Sequence, residues 1–514
     1  MQIRQVNKMK SIVYKTPARA ALPALSALSA LLPLLLGGCA VGPDFQRPPA
    51  PQTSGYTTRA VTQTSEAGSA QAPQQRLVAG KTIDAQWWTA FGSDAINQLV
   101  AAAFSHNPGI DGARAALRQA RETAEAQRSS YFPTLQASYS PSKQRNAVGT
   151  ISPTLTSGDP LYTLHTAQLN ISFVPDVFGL NRRTVESLTA QEEAQQFQLE
   201  ATYLTLASNV VSNAIQLALA RAQIHANQEI IRAAETSLEG TRRQAAAGFA
   251  SGLDIAAQET ALAQAKLALP PLQKQLDQTH DLLAVLTGVT PAELQPLRID
   301  LSDLKLPAEL PVSLPSQLVE QRPDIRAAEA SVHAASAQVG VALANRLPQF
   351  SLSATDGGTA TVFSRMFASG NQFWSVTGNA TQTLFDFGNL KHKQNAAEAA
   401  LDQAAAQYKT TVLSAFQNVA DTLYALDADS KAVSVAASAE TIAAKNLKLT
   451  REQFRLGAIP IAPVLAAEQA WQQARLSLLQ NQAARYSDSV ALFQALGGGW
   501  WNRPGLANAG QREQ

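Results

Sequence analysis

Residues 203–224 read YLTLASNVVSNAIQLALARAQI and lie in the middle of a proline-free stretch, 180–247. Apolar or small side chains recur here at alternating intervals of three and four, at Tyr203, Leu206, Val210, Asn213, Leu217, Ala220 and Ile224. This alternation is typical of a coiled-coil seam. A helix over the whole stretch is roughly 100 Å long, whereas helices in compact domains average about 11–12 residues. The stretch therefore predicts a protein whose function requires a long helical rod.

The rod belongs to an internal duplication. A second proline-free stretch, 389–456, follows the first at a distance of 209 residues. Its seam keeps the positions Val412, Val419, Leu426 and Val433. The motif Phe178-Gly179 recurs as Phe387-Gly388 at the same distance, but upstream Pro108 recurs as Pro323 at a distance of 215. The second copy has therefore lost six residues between 133 and 178, and we predict a surface loop there because exposed loops tolerate deletions.

Each copy is predicted to hold a short helix, two strands, a long helix and a return helix. The short helix (about 100–131) and the return helix (about 253–287) together match the long helix in length, so we expect them to stack end to end beside it. Pro270-Pro271 predicts a kink in the first return helix, which Leu479-Gln480 in the second does not. The predicted segments are repeat 1 at 96–290, a connector at 291–322, repeat 2 at 323–499 and a tail at 500–514.

The first 38 residues have the composition of a secretory signal peptide. They carry five basic residues and no acidic one, and a mostly apolar run ends at Leu36-Gly37-Gly38-Cys39. This motif resembles a bacterial lipobox, and the resemblance implies that Cys39, the only cysteine, becomes the acylated first residue. Residue 40 is alanine and not the aspartate associated with retention in the inner membrane. The resemblance therefore implies a lipid anchor in the outer membrane, facing the periplasm.

Residues 39–95 are predicted to form a lipidated tether and the start of an equatorial belt. Up to about residue 80 they are rich in Pro, Gln, Ser, Thr and Ala and nearly free of large apolar side chains, which predicts an extended segment without a core. Order is expected to begin near Trp87, Trp88 and Phe91, whose rings can dock on a folded body. The connector and the tail are expected to complete the belt.

A strand pair is predicted in each repeat, because the apolar period changes there from helical to two. The alternating apolar positions are Leu135, Ala137 and Tyr139, then Leu169, Ile171 and Phe173, then Phe350, Leu352 and Ala354, and finally Trp374, Val376, Gly378 and Ala380. Aromatic residues stand near the strand ends, at Tyr131, Phe132, Phe173, Phe178, Phe385 and Phe387. Strands that are apolar on one face and polar on the other are typical of a transmembrane barrel, whereas an isolated soluble hairpin is only marginally stable.

Four strands per chain do not close a barrel. The smallest membrane barrels have about eight strands, and their interior is filled by side chains. Two chains would therefore give no conduit, while three give twelve strands and an open lumen. The predicted fold is an α+β membrane protein in which a homotrimeric twelve-stranded barrel continues into a periplasmic coiled-coil cylinder.

The order of several short motifs resembles one family. These are Trp87-Trp88-x-x-Phe91-Gly92, Asn107-Pro108-x-Ile110, Asp176-Val177-Phe178-Gly179 and Leu384-Phe385-Asp386-Phe387-Gly388, together with the lipobox and the duplicated plan. The chain resembles the outer-membrane factors of tripartite efflux systems, in the NodT-type lipoprotein branch of the TolC superfamily. The resemblance implies a trimeric exit duct for toxic compounds or drugs. It also implies two partners, a periplasmic membrane-fusion adaptor and an inner-membrane pump of the RND type.

The two helical hairpin turns are the main candidate site. The first includes Gly248, Ser251 and Asp254, and the second includes Arg455, Leu456, Gly457 and Ile459. Glycine and aspartate at such positions are typical of helix caps. The resemblance adds a functional role, because family members close the pore and meet the adaptor at this mouth. Arg455 stands where the family often has an arginine that braces the closed state through a carboxylate on the next helix. This sequence departs from that pattern with Ala462, Pro463 and Ala466, and Glu468 is the first acid, so we expect the ion pairs of the gate to differ from those of the family.

A second set of candidate residues lies where the strands meet the long helices. Asp176 and Gly179 precede the first long helix, and Asp386 and Gly388 precede the second. We predict that these residues form the strand–helix junctions.

Other function classes find little support in the sequence. The histidines are scattered, and we expect no metal site, no cofactor and no enzymatic activity. The chain has 41 basic and 39 acidic residues, and the signal peptide holds five of the basic ones, so nothing favours nucleic acid. A passive porin would lack the rods, and a coiled-coil adhesin would lack the duplicated strand pairs. A duct for secreted proteins stays open as an alternative.

Overall fold

The computed structural model describes residues 40–51, 53, 55–59, 63–64, 74–145 and 161–503 of the chain. The predicted signal peptide, 1–38, and the predicted lipidation site, Cys39, lie outside the described residues. So do the segment 146–160, which connects the first two predicted barrel strands, and the part of the tail after residue 503.

Long helices and two groups of strands make up the described residues. The strands are β1 Arg76–Ala79, β2 Thr134–Arg145, β3 Leu161–Phe173, β4 Glu309–Val312, β5 Gln349–Ala360 and β6 Gln372–Thr381. The α-helices are α1 Asp94–His106, α2 Pro108–Arg128, α3 Leu180–Ala246, α4 Gly252–Leu267, α5 Leu269–Leu286, α6 Pro315–Gln321, α7 Pro323–Ala344, α8 Asn389–Arg455 and α9 Ile461–Ala495.

The two rods are present as predicted. Helices α3 and α8 each contain 67 residues, and their bounds agree with the predicted ones to within a residue. The central seam positions are buried in both helices, with Val210 and Leu217 in α3 and Val419 and Leu426 in α8 no more than 1% exposed. The absence of proline lets the backbone hydrogen bonds run unbroken, and the buried seam supplies most of the helical stability.

The shorter helices stack end to end at two equivalent joins. In repeat 1 the Asn107 side-chain amide donates a hydrogen bond to the carbonyl oxygen of Leu286, at 2.8 Å. At the start of repeat 2 the guanidinium of Arg322, the last residue of the connector, donates to the carbonyl oxygen of Ala495, at 2.9 Å. The donors stand 215 residues apart and the acceptors 209, so the structure confirms both repeat distances and the predicted stacking.

Two glycines allow the close approach of the chain at these joins. Gly288 has φ +79°, and a Cβ there would lie 2.2 Å from the carbonyl oxygen of His106. Gly497 has φ +92°, and a Cβ there would lie 2.7 Å from the carbonyl oxygen of Gln321. Both the backbone conformation and the spacing therefore require glycine.

The first return helix is interrupted and the second is not. Helix α4 ends at Leu267, and α5 begins at Leu269 with Pro270 and Pro271 in its first turn. Proline fits a first helical turn, because the N–H groups there have no intrahelical acceptor. Helix α9 runs continuously through the equivalent positions, Leu479 and Gln480. The predicted kink and the predicted absence of its counterpart are confirmed.

The chain divides into two compact units. Of the described residues, the first contains 40–44, those within Glu125–Ser187, and Ser336–Glu398. It holds a four-stranded antiparallel sheet in the order β2-β3-β5-β6. The strand pairs of the two repeats therefore join into one sheet through β3 and β5, and β2 and β6 form its edges.

The register of the sheet repeats the duplication. Thr134 pairs with Ser172 in the first hairpin, and Gln349 pairs with Thr381 in the second. Adding 215 to the first residue and 209 to the second converts one pair into the other. The six deleted residues therefore belong to the strand connection, as predicted.

The second unit contains the described residues within Phe45–Ala124, Leu188–Ala335 and residues 399–503. Its core includes Trp87 and Phe91, which are buried as predicted, and a parallel pair of β1 with β4. Order begins earlier than predicted. The side chain of Gln75 is fully buried and donates to the carbonyl oxygen of Pro307, at 2.9 Å. This part of the predicted tether is fixed to the connector by the pairing of β1 with β4 and by buried polar contacts such as that of Gln75. Amino-acid composition alone does not indicate such contacts.

Candidate functional site

The first hairpin turn joins α3 to α4 through a glycine. Gly248 has φ +81°, and the N–H of Phe249 donates to the carbonyl oxygen of Gln244, at 2.8 Å. The N–H of Gly248 donates in turn to Ala245, at 3.0 Å. These two bonds form a Schellman motif, which satisfies the last carbonyl groups of α3 and requires a left-handed residue at Gly248.

A capping box begins the next helix, α4. The backbone N–H and the hydroxyl of Ser251 donate to a carboxylate oxygen of Asp254, at 2.8 and 2.7 Å. The N–H of Asp254 donates back to the Ser251 hydroxyl, at 3.2 Å. These donors stabilise the ionised carboxylate and lower the pKa of Asp254 below its usual value. The predicted capping role of Asp254 is therefore present, and the structure adds Ser251 as the N-cap residue.

The second turn has the same C-cap but a different start. Gly457 has φ +74°, and the N–H of Ala458 donates to the carbonyl oxygen of Gln453, at 2.9 Å. Helix α9 follows Pro460, which has no side-chain hydrogen bond to the helix. The second turn therefore lacks the carboxylate that the first turn holds.

Large apolar side chains are exposed at both turns. Phe249 is 86% exposed and Leu253 79% at the first turn, and Leu456 is 68% exposed at the second. Ile459 is half-buried. Exposed apolar groups clustered at a helix tip are typical of a surface that meets another protein.

The structure places Arg455 in a pair within its own helix. Its guanidinium lies 2.6 Å from the carboxylate of Glu452, one turn earlier, and both side chains are more than half exposed. Hydrogen bonding to Arg455 lowers the pKa of Glu452. Arg455 thus pairs within its own helix and not with the first acid of the next helix, Glu468, as the family pattern would have it.

A different arginine reaches the following helix. Arg451 Nη2 lies 2.8 Å from Oε1 of Glu468, and its Nε lies 3.2 Å from the same oxygen. In the first hairpin, Arg242 Nη2 lies 2.7 Å from Oε1 of Glu259. Both partners of the two pairs stand 209 residues apart. Each long helix is thus tied to its return helix by an equivalent ion pair near the turn.

These arginines were missed by the sequence reasoning, although a signal was present. Glu259 and Glu468 are recognisable as equivalent acids in the two repeats. An arginine stands seventeen residues before each of them, at Arg242 and Arg451. An arginine and a glutamate that recur at equal spacing on opposite sides of each hairpin turn predict an ion pair between the two antiparallel helices.

The strand–helix junctions use aspartate as a helix cap. Asp176 accepts hydrogen bonds from the N–H groups of Asn181 and Arg182, both at 2.9 Å. Asp386 accepts from the N–H groups of Leu390 and Gly388, at 2.8 and 2.9 Å. The Leu390 N–H is the main cause of the lowered pKa of Asp386.

Glycine follows each of these aspartates. Gly179 and Gly388 have φ +81° and +87° and turn the chain into the helix. The four predicted junction residues therefore form two separate caps. Asp176 and Gly179 cap the start of α3, and Asp386 and Gly388 cap the start of α8.

Two features are absent from the part of the chain that the structure describes. No group of three or more His, Cys, Asp or Glu side chains there is arranged to hold a metal ion. No helix there combines the length and the apolar composition needed to cross a membrane.

The duplicated plan corresponds to a known family. The sequence profile described as outer membrane efflux protein matches residues 99–289 and 314–498, which is more than half of the chain. The chain belongs to the outer membrane efflux protein family. The two matched segments correspond closely to repeats 1 and 2.

Individual family members match along most of the chain. It is 29% identical to the toluene efflux pump outer membrane protein TtgC of Pseudomonas putida over 487 residues, 93% of this chain and 96% of TtgC. It is 31% identical to the pyoverdine export outer membrane protein OpmQ of Pseudomonas putida over 463 residues, 88% of this chain and 94% of OpmQ. The structure superimposes on the outer-membrane channel OprN with a TM-score of 0.79 and 26% identity, covering 90% of this chain and 100% of OprN.

The predicted family, the outer-membrane location and the role as an efflux duct are therefore confirmed. This outer membrane efflux protein shares with OprN a fold of long helices and strands. The trimer, the closed barrel, the lipid anchor and the named partners stay predictions.

Proposed function

We propose that three copies of this chain form a twelve-stranded barrel in the outer membrane, continued by a helical cylinder in the periplasm. The assembly is the exit duct of a tripartite efflux pump. The observation that carries this proposal is the open four-stranded sheet. Among the described residues, β2 pairs only with β3 and β6 pairs only with β5. Unpaired edges within a membrane are costly, and closure of the sheet with other copies removes them.

The two faces of the sheet support a position in the membrane. Leu135 is 66% exposed, Trp374 76% and Val376 71%, and the register places all three on one face. Gln136, Asn170 and their neighbours face the other way. A lipid-facing apolar surface and a water-facing polar surface account for this alternation.

The number of copies follows from the size of the conduit. Two chains give eight strands, whose interior is filled by side chains, whereas three chains give twelve and an open lumen. Each chain contributes two long helices with their stacked partners, so three chains surround the lumen with twelve helices.

The hairpin turns are the proposed periplasmic gate and adaptor contact. Gly248, Ser251 and Asp254 form one half of each subunit's contribution, and Arg455, Leu456, Gly457 and Ile459 form the other. Helix ends can separate when a hairpin leans outward, while a closed barrel is hydrogen-bonded all round. The exposed Phe249, Leu253 and Leu456 supply apolar surface for the adaptor.

The partners are a periplasmic adaptor and an inner-membrane pump of the RND type, and the cargo is small toxic compounds or drugs. The names of TtgC and OpmQ, which refer to toluene efflux and pyoverdine export, support a small-molecule cargo.

Cys39 carries a lipid that anchors the chain in the outer membrane. Replacement of Cys39 with serine should abolish palmitate labelling, and persistent labelling would refute the anchor.

The assembly is tested by mass. Outer-membrane extracts in mild detergent should contain a species with the mass of three chains. The export role is tested separately: cells lacking the protein should accumulate the pump's substrates until the gene is restored. A stable monomer with a closed barrel would contradict the proposal, and so would unchanged substrate accumulation in the deletion strain.

A further inference from the structure

The loop between β5 and β6 folds back over the apolar face of the sheet. The ring of Phe363 lies 5.7 Å from the ring of Tyr139 on β2 and 6.0 Å from the ring of His165 on β3. Beneath it, the Tyr139 hydroxyl and Nδ1 of His165 are 2.9 Å apart, at hydrogen-bond distance. The loop therefore reaches across two neighbouring strands from the one on which it begins.

The backbone of the sheet accommodates this loop. A Cβ on Gly358 would lie 2.2 Å from the carbonyl oxygen of Met366, whose side chain is buried. The Asn371 side-chain amide donates to the carbonyl oxygen of Arg365, at 2.8 Å. Glycine at 358 and this internal hydrogen bond hold the loop close to the strands.

A cavity of 420 Å³ lies between the loop and the sheet. We call it the outer pocket, and its apolar walls are Ala137, Tyr139, Ala167, Leu169 and Phe367. Ligand pockets in proteins have volumes of roughly 300–1,000 Å³, so the outer pocket is large enough for part of a lipid. Asp356 is the one carboxylate among the described residues that line it, and its side chain is exposed.

Basic side chains stand at the same end of the same face. The strand alternation places Lys143 and Arg145 on the face of Tyr139, beyond the aromatic cluster. Arg365 belongs to the loop itself, and all three residues are exposed. Among the residues that the structure describes at this end of the face, three cations stand against the one carboxylate of Asp356, so their net charge is positive.

We propose that the outer pocket binds an acyl chain of a phosphate-bearing glycolipid of the lipid A class, whose phosphates meet Lys143, Arg145 and Arg365. This inference rests on the proposed function, because the apolar face must lie against the membrane. It identifies a site on the outer surface of the barrel that differs from the export route. The apolar walls select an acyl chain, and the net positive charge selects an anionic headgroup over a zwitterionic one.

Filling the pocket tests the acyl-chain contact. Ala167→Leu adds apolar volume inside the pocket and keeps the face apolar. Ala354→Leu is the matched control, because Ala354 lies on the same face opposite Ile171 and Val376 but does not line the pocket. Trimers in mild detergent, incubated with lipid A, are analysed by native mass spectrometry. The wild type and Ala354→Leu should retain lipid A, and Ala167→Leu should bind about tenfold less. Equal retention by Ala167→Leu would overturn the proposal.

Removing the charges tests the headgroup contact. The triple variant Lys143→Gln, Arg145→Gln and Arg365→Gln should lose about tenfold or more in affinity for lipid A, since hydrogen bonds to phosphate are charge-assisted. Its affinity for dephosphorylated lipid A should equal that of the wild type. Equal binding of the two lipids by the wild type would refute phosphate recognition.

Failure of this inference is distinguishable from failure of the proposed function. If the wild-type trimer forms and restores export but binds no lipid A, only the lipid site is wrong. If no trimer forms in the outer membrane, the proposed assembly itself is wrong.

Discussion

Arg451 on α8 lies 2.8 Å from Glu468 on α9, and the pair closes the second hairpin near its turn. The first hairpin has an equivalent pair at 2.7 Å, between Arg242 and Glu259. The two pairs differ in burial, because the Glu468 side chain is 10% exposed while that of Glu259 is 49% exposed. The duplication has therefore kept one contact in two environments.

This difference predicts unequal effects of removing the two arginines. Arg242→Ala should lower the free energy of opening the first hairpin by about 0.2–1 kcal/mol, which is the usual contribution of an exposed ion pair. Arg451→Ala should cost more, roughly 1–3 kcal/mol, because a nearly buried carboxylate loses its hydrogen-bond partner. Hydrogen exchange of the backbone near each turn measures both effects. Equal loss of protection in the two hairpins would show that burial of Glu468 does not matter.

The gate residues are tested by conductance. Arg455→Ala and Asp254→Ala should each raise the conductance of the trimer in planar bilayers, because each removes a charge from the proposed gate. Cells carrying either variant should become susceptible to vancomycin, which intact outer membranes exclude. If neither conductance nor susceptibility changes, the latch is apolar, and Leu456 and Ile459 become the residues to substitute.

The helix joins are tested by a matched pair of glycine substitutions. Gly288→Ala should destabilise the protein by more than about 1 kcal/mol, because φ is positive and the new Cβ would contact the His106 carbonyl oxygen. Gly240 lies within α3 with nothing within 4 Å of a Cβ. Gly240→Ala should therefore stabilise the helix, by about 0.5–1 kcal/mol. Thermal unfolding monitored by circular dichroism measures both changes in stability. A lower stability of Gly240→Ala would contradict the conclusion that the helix has room for a Cβ at this position.

The first turn should respond to acid. The pKa of Asp254 is lowered in the folded chain by the N–H and hydroxyl of Ser251. A lowered pKa contributes stability that is present above the unfolded value, about 3.9 for aspartate, and is lost as pH falls through the folded value. A spin label at Ala250→Cys should therefore become mobile below about pH 4. In Asp254→Asn the label should be mobile at every pH, and an acid response that survives this substitution would exclude Asp254 as its cause.

Much of the fold follows from patterns in the sequence. Apolar spacing predicts α3, α8 and the strands β2, β3, β5 and β6. Gly288 and Gly497 give the repeat distance of 209 residues, and Pro108 and Pro323 give the upstream distance of 215. These features are local or repeated, so a single sequence reveals them.

The side-chain contacts follow less readily. Arg455 pairs with Glu452 one turn earlier, while Arg451 pairs with Glu468 on α9, and sequence spacing alone does not decide between these pairings. The buried position of Gln75 depends on the Pro307 carbonyl oxygen, which is 232 residues away in the chain. The amino-acid composition of the segment up to about residue 80 is polar, and it does not indicate that Gln75 has such a partner.

The trimeric barrel is tested most directly at the edges of the sheet. Asn170 pairs with Thr355 between β3 and β5. The repeat distances convert this pair into Asn379 on β6 and Ser140 on β2, so these residues should be opposite each other between neighbouring chains. Opposed residues have Cβ atoms about 4.5–5.5 Å apart, which suits an oxidant or a short thiol crosslinker.

The double variant Ser140→Cys and Asn379→Cys should give covalent dimers and trimers on a denaturing gel, and nothing larger. The control, Ser140→Cys with Ala380→Cys, places the two thiols on opposite faces of the sheet and should give monomers. Crosslinking within a single chain, a ladder that continues beyond three chains, or no crosslink in an assembled protein would contradict the twelve-stranded trimer.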